Sequence, residues 1–168
     1  YLDRVTITDN IAPQGAGIHT QWSSTTIVTN SIISDNDGES QITIHAIEPS
    51  SIVSIVDISY TNLQGGDEGV VDIDGGLVWG DGNIDVDPRF RDAENGNYNL
   101  SASSLCINAG DPTAQDEDGT RRDMGAYPYL VGHDGSTGWY VSTTGNDSTG
   151  TGLESNPFGS IQLALNFA

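Results

Sequence analysis

VTITDN (Val5 to Asn10), SIISDN (Ser31 to Asn36) and DISYTN (Asp57 to Asn62) end on the same residue type at a constant spacing of 26 positions. Between them, GAGIH (Gly15 to His19) and QITIH (Gln41 to His45) place Ile18 and Ile44, and His19 and His45, the same 26 residues apart. A repeated length of this size, with no helical periodicity, is a mark of solenoid architecture. Each unit carries short alternating runs of β-branched residues, such as Thr25 to Thr29 and Ser51 to Val56, bounded by Asn, Asp, Gly and Pro. That is the pattern of strands separated by turns. The chain is therefore expected to be all-β, a parallel β-helix in which each repeat forms one coil. Ile7, Ile18, Ile33 and Ile44 should point inward, and Asn10, Asn36 and Asn62 should form an amide ladder at a corner. Ser59 interrupts the register, standing where Ile7 and Ile33 stand in the earlier units. An antiparallel sandwich is the competing architecture, but it does not require equal spacing of both the Asn and the His.

Working outward, Gln64 to Gly82 is rich in Gly and Asp yet keeps Val70, Val71, Ile73 and Leu77 to Trp79, which can continue strands, so residues 1–82 read as the last coils of the stack. Residues 83–130 alternate short apolar pairs with turn clusters and are expected to form an irregular cap over the last coil. Residues 131–138 read as a linker, by the composition of Gly132 to Gly138. Residues 139–168 read as the truncated start of a second unit. There Ser160 is the expected N-cap of a short α-helix whose inner face carries Ile161, Ala164, Leu165 and Ala168. Without an initiator Met, and ending inside a helical pattern, the chain reads as a piece of something longer.

Twenty-four acidic side chains against five basic ones give a net charge of −19. All five basic residues are arginines, Arg4, Arg89, Arg91, Arg121 and Arg122, so lysine chemistry is absent from this stretch. Such a charge excludes binding to nucleic-acid phosphates or to anionic membrane surfaces. No apolar run approaches the roughly 18 residues of a membrane span, which argues against direct membrane insertion. The single cysteine, Cys106, lies in an apolar string and is expected to be a buried, inert thiol.

The run NIDVDPRFRDAENGNYNLSASSLCINAGDPTAQDEDGTRRDMGAYPY, within residues 83–129, resembles the C-terminal end of secreted right-handed parallel β-helix repeat proteins of the pectin-lyase-like superfamily. Residues 139–168, with a short strand, NPF and SIQLAL, look like the opening of the same kind of domain. The resemblance implies the close of one right-handed β-helix followed by the start of another, in a secreted or cell-surface, bacterial, multidomain protein. It implies polysaccharide and neighbouring β-helix domains of the same chain as partners. It fixes no activity, because the fold hosts lyases, hydrolases and adhesins alike.

The residues themselves carry no identifiable catalytic set. Polygalacturonase-like motifs would require a lysine and a paired Asp-Asp, and the nearest approach to their G-H-G is Gly132-His133-Asp134. The reading is a glycan-contacting scaffold without catalysis of its own, the alternative being part of a polysaccharide lyase or glycoside hydrolase whose active coils lie outside the fragment. The sharpest metal candidate is calcium at Asp81, Asn83, Asp85 and Asp87, with Asp92 at the twelfth position. Val86 stands where a calcium loop needs Gly, and a strand with one wet face explains the same alternation. Asp111 to Gly119 is a second acidic cluster, read as a turn. His19 and His45 should share one face, and Trp22, Tyr60, Trp79 and Tyr98 are candidate sugar platforms, each with a packing role as the alternative. Arg121 and Arg122 are expected to pair with nearby acids and hold the cap.

Overall fold

The structure is a computed structural model and describes residues 1–45, 53–130 and 138–166. Ten short strands open the chain: β1 (Leu2–Asp3), β2 (Thr6–Ile7), β3 (Ile18–Gln21), β4 (Thr25–Thr29), β5 (Ile32–Ile33), β6 (Ile42–His45), β7 (Ile55–Ser59), β8 (Asn62–Leu63), β9 (Val70–Ile73) and β10 (Gly76–Trp79). They form three parallel sheets, ordered β1-β4-β7-β10, β2-β5-β8 and β3-β6-β9. Consecutive strands thus belong to different sheets, and each sheet grows by one strand per circuit of the chain. The result is a mostly β, solenoid-like stack of parallel strands.

Alternation decides what faces inward. Val28, Ile33, Ile42, Ile44, Val56, Ile58 and Leu63 form one buried cluster, flanked by half-buried Leu2, Ile7, Ile18, Val70 and Leu77. Burying each such side chain contributes about 1.5–3 kcal/mol, which offsets the ordering of strands only two to five residues long. Ile7 pairs with Ile33 and Ile33 with Leu63, as a ladder requires. Ile18 pairs with Ile42 rather than Ile44, which sits beside Thr20.

The corners are as regular as the strands. Arg4, Asn30 and Tyr60 follow the aligned residues Asp3, Thr29 and Ser59, and all three adopt left-handed backbone, with φ of 57°, 49° and 47°. Asp9 and Asp35 repeat this at the next corner, with φ of 58° and 56°. After the first corner a polar side chain folds back on the turn. The Ser31 hydroxyl donates to the Thr29 carbonyl (2.6 Å), and the Thr61 hydroxyl donates to that of Ser59 (2.9 Å). In the last circuit Asn83 takes that place, its Nδ2 donating to the Ile58 (2.9 Å) and Gly80 (3.1 Å) carbonyls.

The amide ladder at the second corner is shorter than expected. Asn10 Nδ2 donates to Asn36 Oδ1 at 2.9 Å, but Asn62 does not join them. The repeat is not constant: Thr6 pairs with Ile32, 26 residues on, whereas Ile32 pairs with Asn62, 30 residues on. Asn62 therefore lands beside Ile32, on the strand itself. There it is fully buried and exchanges two backbone bonds with Val86, at 2.9 and 3.0 Å. Ser59 likewise stacks on Thr29 and leaves the inner position to Ile58. The expected strand from Ser51 to Val56 starts at Ile55, its first two residues lying outside the described ones.

Residues 83–130 make contact with the side of the stack. Ile84 bridges Asn62 as the last rung of the second sheet, two residues past the expected end of the coils at 82. The chain then forms an antiparallel hairpin, β11 (Phe90–Asp92) and β12 (Asn97–Leu100), and lies along the outer face of that sheet. Ile32, on that face, is buried in a second cluster with Leu100, Ala102, Cys106 and Met124. The segment reaches the first circuit. The Ala126 N–H donates to Thr6 Oγ1 (3.0 Å), and the Gly125 N–H donates to the Asn30 carbonyl (2.9 Å). Two ion pairs cross the same seam, Arg4 with Asp116 (3.5 Å) and Arg122 with Asp3 (3.7 Å). A strand face bearing Ile32 must be covered, and the side of the stack is where this segment finds its apolar partner.

The expected linker, including His133, falls almost wholly outside the described residues. Beyond it, Phe158, Leu163 and Ala164 belong to the same second cluster, which thus takes side chains from before and after residues 131–137. Helix α1 (Ile161–Asn166) starts as expected, with Ser160 Oγ accepting the Leu163 N–H (3.2 Å). Its buried face is Leu163 and Ala164, while Ile161 and Leu165 are exposed.

Gly125 sits at φ 97°, where a Cβ would stand 2.8 Å from Ile32 Cδ1 and 3.0 Å from Thr6 Oγ1. Gly125→Ala is therefore expected to destabilise the protein by about 1–3 kcal/mol, read as a lower urea midpoint. An unchanged midpoint would mean that this segment does not lie on the second sheet.

Candidate functional site

The five residues expected to hold calcium are dispersed. Asn83 is engaged in the corner turn, and its Oδ1 accepts the Thr61 N–H at 3.1 Å. Asp81 lies on the exposed turn before it, its carbonyl taking the Tyr60 N–H. Asp92 stands on β11, where both carboxylate oxygens accept from Asn95 Nδ2 at 2.9 Å. Asp85 and Asp87 do come together. With Ser34, Asp35, Gln64 and Pro88 they line a groove of about 280 Å³ outside the corner that follows β5 and β8. Three aspartates thus line one acidic groove, but part of its chemistry is used locally. Asp87 Oδ1 accepts the Arg89 N–H (2.8 Å), and Gln64 Oε1 accepts the Asp35 N–H (2.6 Å). Among the described residues no group of three or more His, Cys, Asp or Glu side chains is placed to hold a metal ion.

The second acidic cluster is a turn. Asp111 Oδ1 accepts the backbone and hydroxyl of Thr113, both at 2.8 Å, and these bonds hold its carboxyl below the usual range. Asp118 Oδ1 likewise accepts the Thr120 N–H (3.1 Å) and hydroxyl (2.7 Å). Deeper in, Asp123 Oδ1 accepts the Asn108 N–H (2.7 Å) and Oδ2 the Tyr129 N–H (2.6 Å), while its own N–H donates to Asp116 Oδ2 (2.8 Å). This carboxyl ties three stretches of the lateral segment together. Arg122 pairs with Asp3, as expected of an arginine holding this segment. Among the described residues Arg121 pairs with no acid, and it donates to the Gly110 and Ala109 carbonyls, at 2.7 and 3.3 Å.

His19 and His45 do share an outer face, with parallel rings 6.4 Å apart at centroid. They are diagonal neighbours, because His19 is aligned with Thr43 and His45 with Gln21. Cys106 is fully buried, and burial pushes its thiol up to about 12, as expected of an inert cysteine. In the native protein it is expected to resist thiol reagents at pH 8 and to react once urea is added.

The aromatic candidates divide. Tyr98 packs edge-on against Phe90 and donates its hydroxyl to Asp9 Oδ2 (2.7 Å), fastening the hairpin to the first circuit. Tyr60 is half-buried against Gly82. Trp22 stays 69% exposed at φ 64°, and Trp79 is 39% exposed. Tyr140, which residue patterns did not single out, is 44% exposed beside a cleft of about 460 Å³. Two turns build that cleft. In one, the Gly145 N–H donates to the Ser142 carbonyl (2.8 Å); in the other, the Asn156 N–H donates to that of Leu153 (3.0 Å). The Phe158 N–H donates to the Tyr140 carbonyl (3.0 Å) and the Asn146 N–H to that of Pro157 (3.1 Å), which locks the turns together.

Burial, the larger effect, pushes the Asp123 carboxyl from 3.8 up to about 7, against the two N–H bonds that pull it down. Between those values the folded chain keeps a proton that the unfolded chain has lost. Stability from this group is therefore complete below about pH 4 and declines as pH rises from about 4 to 7, by about 4 kcal/mol at most. Urea midpoints across that window should show the decline, and Asp123→Asn should remove it. An unchanged pH slope after that substitution would assign the effect elsewhere. Comparison with family models, with curated proteins and with solved structures finds no match for this chain.

Proposed function

We propose that the chain is a non-catalytic, glycan-contacting segment of an extracellular or cell-surface protein built on a right-handed parallel β-helix of the pectin-lyase-like kind, joined in sequence to neighbouring β-helix units. The observation that carries this reading is a group of exposed aromatic side chains, among them Trp22, Trp79 and Tyr140, on a lysine-free polar surface. Leaving a tryptophan 69% in water, on a strained left-handed backbone, forgoes burial of the kind that Ile33, Ile42 and Val56 obtain. A sugar ring offers such a side chain an apolar C–H face while its hydroxyls stay hydrated. Polar groups of the coils go mainly to turns, as with Asn36, Ser31, Thr61 and Asn83, which suits a rigid support.

Co-sedimentation with insoluble polysaccharides, run beside assays for new reducing ends and for unsaturated uronate, tests the reading. Retention without either product is the expected result, with weaker retention of Trp22→Ala. Turnover by this chain would replace the scaffold with the lyase or hydrolase alternative. No retention on any polysaccharide would leave a spacer.

A further inference from the structure

Resting on the glycan reading above, we propose that the cleft beside Tyr140 is a sugar site and that its ligand is a neutral pyranoside rather than a uronate. The cleft measures about 460 Å³, inside the roughly 300–1,000 Å³ range of small-molecule sites. Its walls carry Tyr140, Ser142, Thr144, Asn146, Glu154 and Asn156, which combine one aromatic ring with hydroxyl, amide and carboxylate groups. That mixture matches a pyranose, whose C–H face stacks on a ring and whose hydroxyls both donate and accept.

The walls are built before any ligand arrives. Asn146 Oδ1 accepts the N–H groups of Ser148 (2.7 Å) and Thr149 (3.1 Å), and Asn156 Nδ2 donates to the Thr149 carbonyl (2.9 Å). Ser142 and Thr144 hydroxyls bond each other at 2.9 Å. Asp147 Oδ1 accepts the Gly159 and Ser160 N–H groups, at 2.7 and 2.9 Å, and pins this turn to the start of α1. Glu154, exposed and lining the cleft, carries two carboxylate oxygens that accept from sugar hydroxyls.

Charge selects the class of sugar. No lysine or arginine lines the cleft, Glu154 does, and the chain carries −19 overall. Four of the five arginines are committed elsewhere, Arg4 and Arg122 to acids and Arg91 and Arg121 to carbonyls. A uronate carboxylate would meet repulsion and no counter-charge, whereas a neutral hydroxyl would find acceptors.

The test is a titration of the isotopically labelled 168-residue chain, followed by amide NMR shifts. The probes are oligomers of glucose, xylose, mannose and galactose, with oligogalacturonate as the anionic counterpart. Neutral probes are expected to shift the amides of residues 140–146 and 154–156, with a dissociation constant on the order of 1 mM. Tyr140→Ala and Glu154→Gln should each weaken binding about tenfold. Glu154→Gln alters only an exposed rim side chain and keeps the test valid if the tyrosine variant unfolds. Binding that depends on Trp22 and ignores both variants would overturn the site while leaving the glycan reading intact. Preference for oligogalacturonate would overturn the neutral-sugar assignment. Silence with every probe would remove both.

Discussion

Every circuit of this chain must turn sharply after the first sheet without leaving a buried backbone group unpaired, and one device serves three successive circuits. A left-handed residue makes the bend, and the side chain that follows it or closes the turn, Ser31, Thr61 or Asn83, donates back to a carbonyl two or three residues upstream. Two of these side chains also accept from the adjacent circuit, Ser31 from the Val5 N–H (3.2 Å) and Asn83 from the Thr61 N–H (3.1 Å). Such a corner satisfies its own turn and registers its neighbour. Ser31 and Thr61 are fully buried, where an unmade hydrogen bond costs about 1–3 kcal/mol. Losing Ser31 or Asn83 would strand groups on two circuits at once. The apolar ladders can then stack because the corners hold the register for them.

A stack fixed in this way still has an outer surface to dispose of. On the second sheet Ile32 and Ile84 face outward, and the lateral segment covers them. Its attachment is polar at the rim and apolar within, with Arg4–Asp116 and Arg122–Asp3 crossing in opposite senses. The two pairs exchange one arginine and one aspartate from each side, so sliding the segment would break both. Tyr129 extends the seam. Its hydroxyl donates to the Gly150 carbonyl, and its ring lies under the Arg91 guanidinium at 5.6 Å, joining the lateral segment to the C-terminal turns.

Strand content and turn placement were legible because both are local. Alternation of β-branched residues marks the strands, and Asn or Asp before a new run marks the corners. The register was legible only where the repeat is constant. The path from second to third sheet shortens by two residues per circuit, from Thr6–Ile18 through Ile32–Ile42 to Asn62–Val70. Longer connections elsewhere offset it, and a constant spacing of 26 then carries Asn62 onto the wrong side of a corner. The lateral placement of 83–130 was hidden for a different reason. Its contacts join residues such as Thr6 and Ala126, and no period or spacing reports a partner that far away. Nor was the Tyr140 cleft visible, since its two walls look like ordinary polar turns until Phe158 bonds them together.

The acidity has a local origin as well. Eighteen of the 24 acidic residues are aspartates, the shorter of the two acids. Asp87, Asp111 and Asp118 each accept the N–H two residues on, and Asp72 accepts that of Gly75 three residues on. Glutamate, one methylene longer, closes such rings poorly, whereas aspartate closes them readily. Turn chemistry thus gives these four aspartates a role that needs no metal or catalysis. Glu154, in the turn that Leu153 and Asn156 close, lines the Tyr140 cleft instead, and there a function is to be sought.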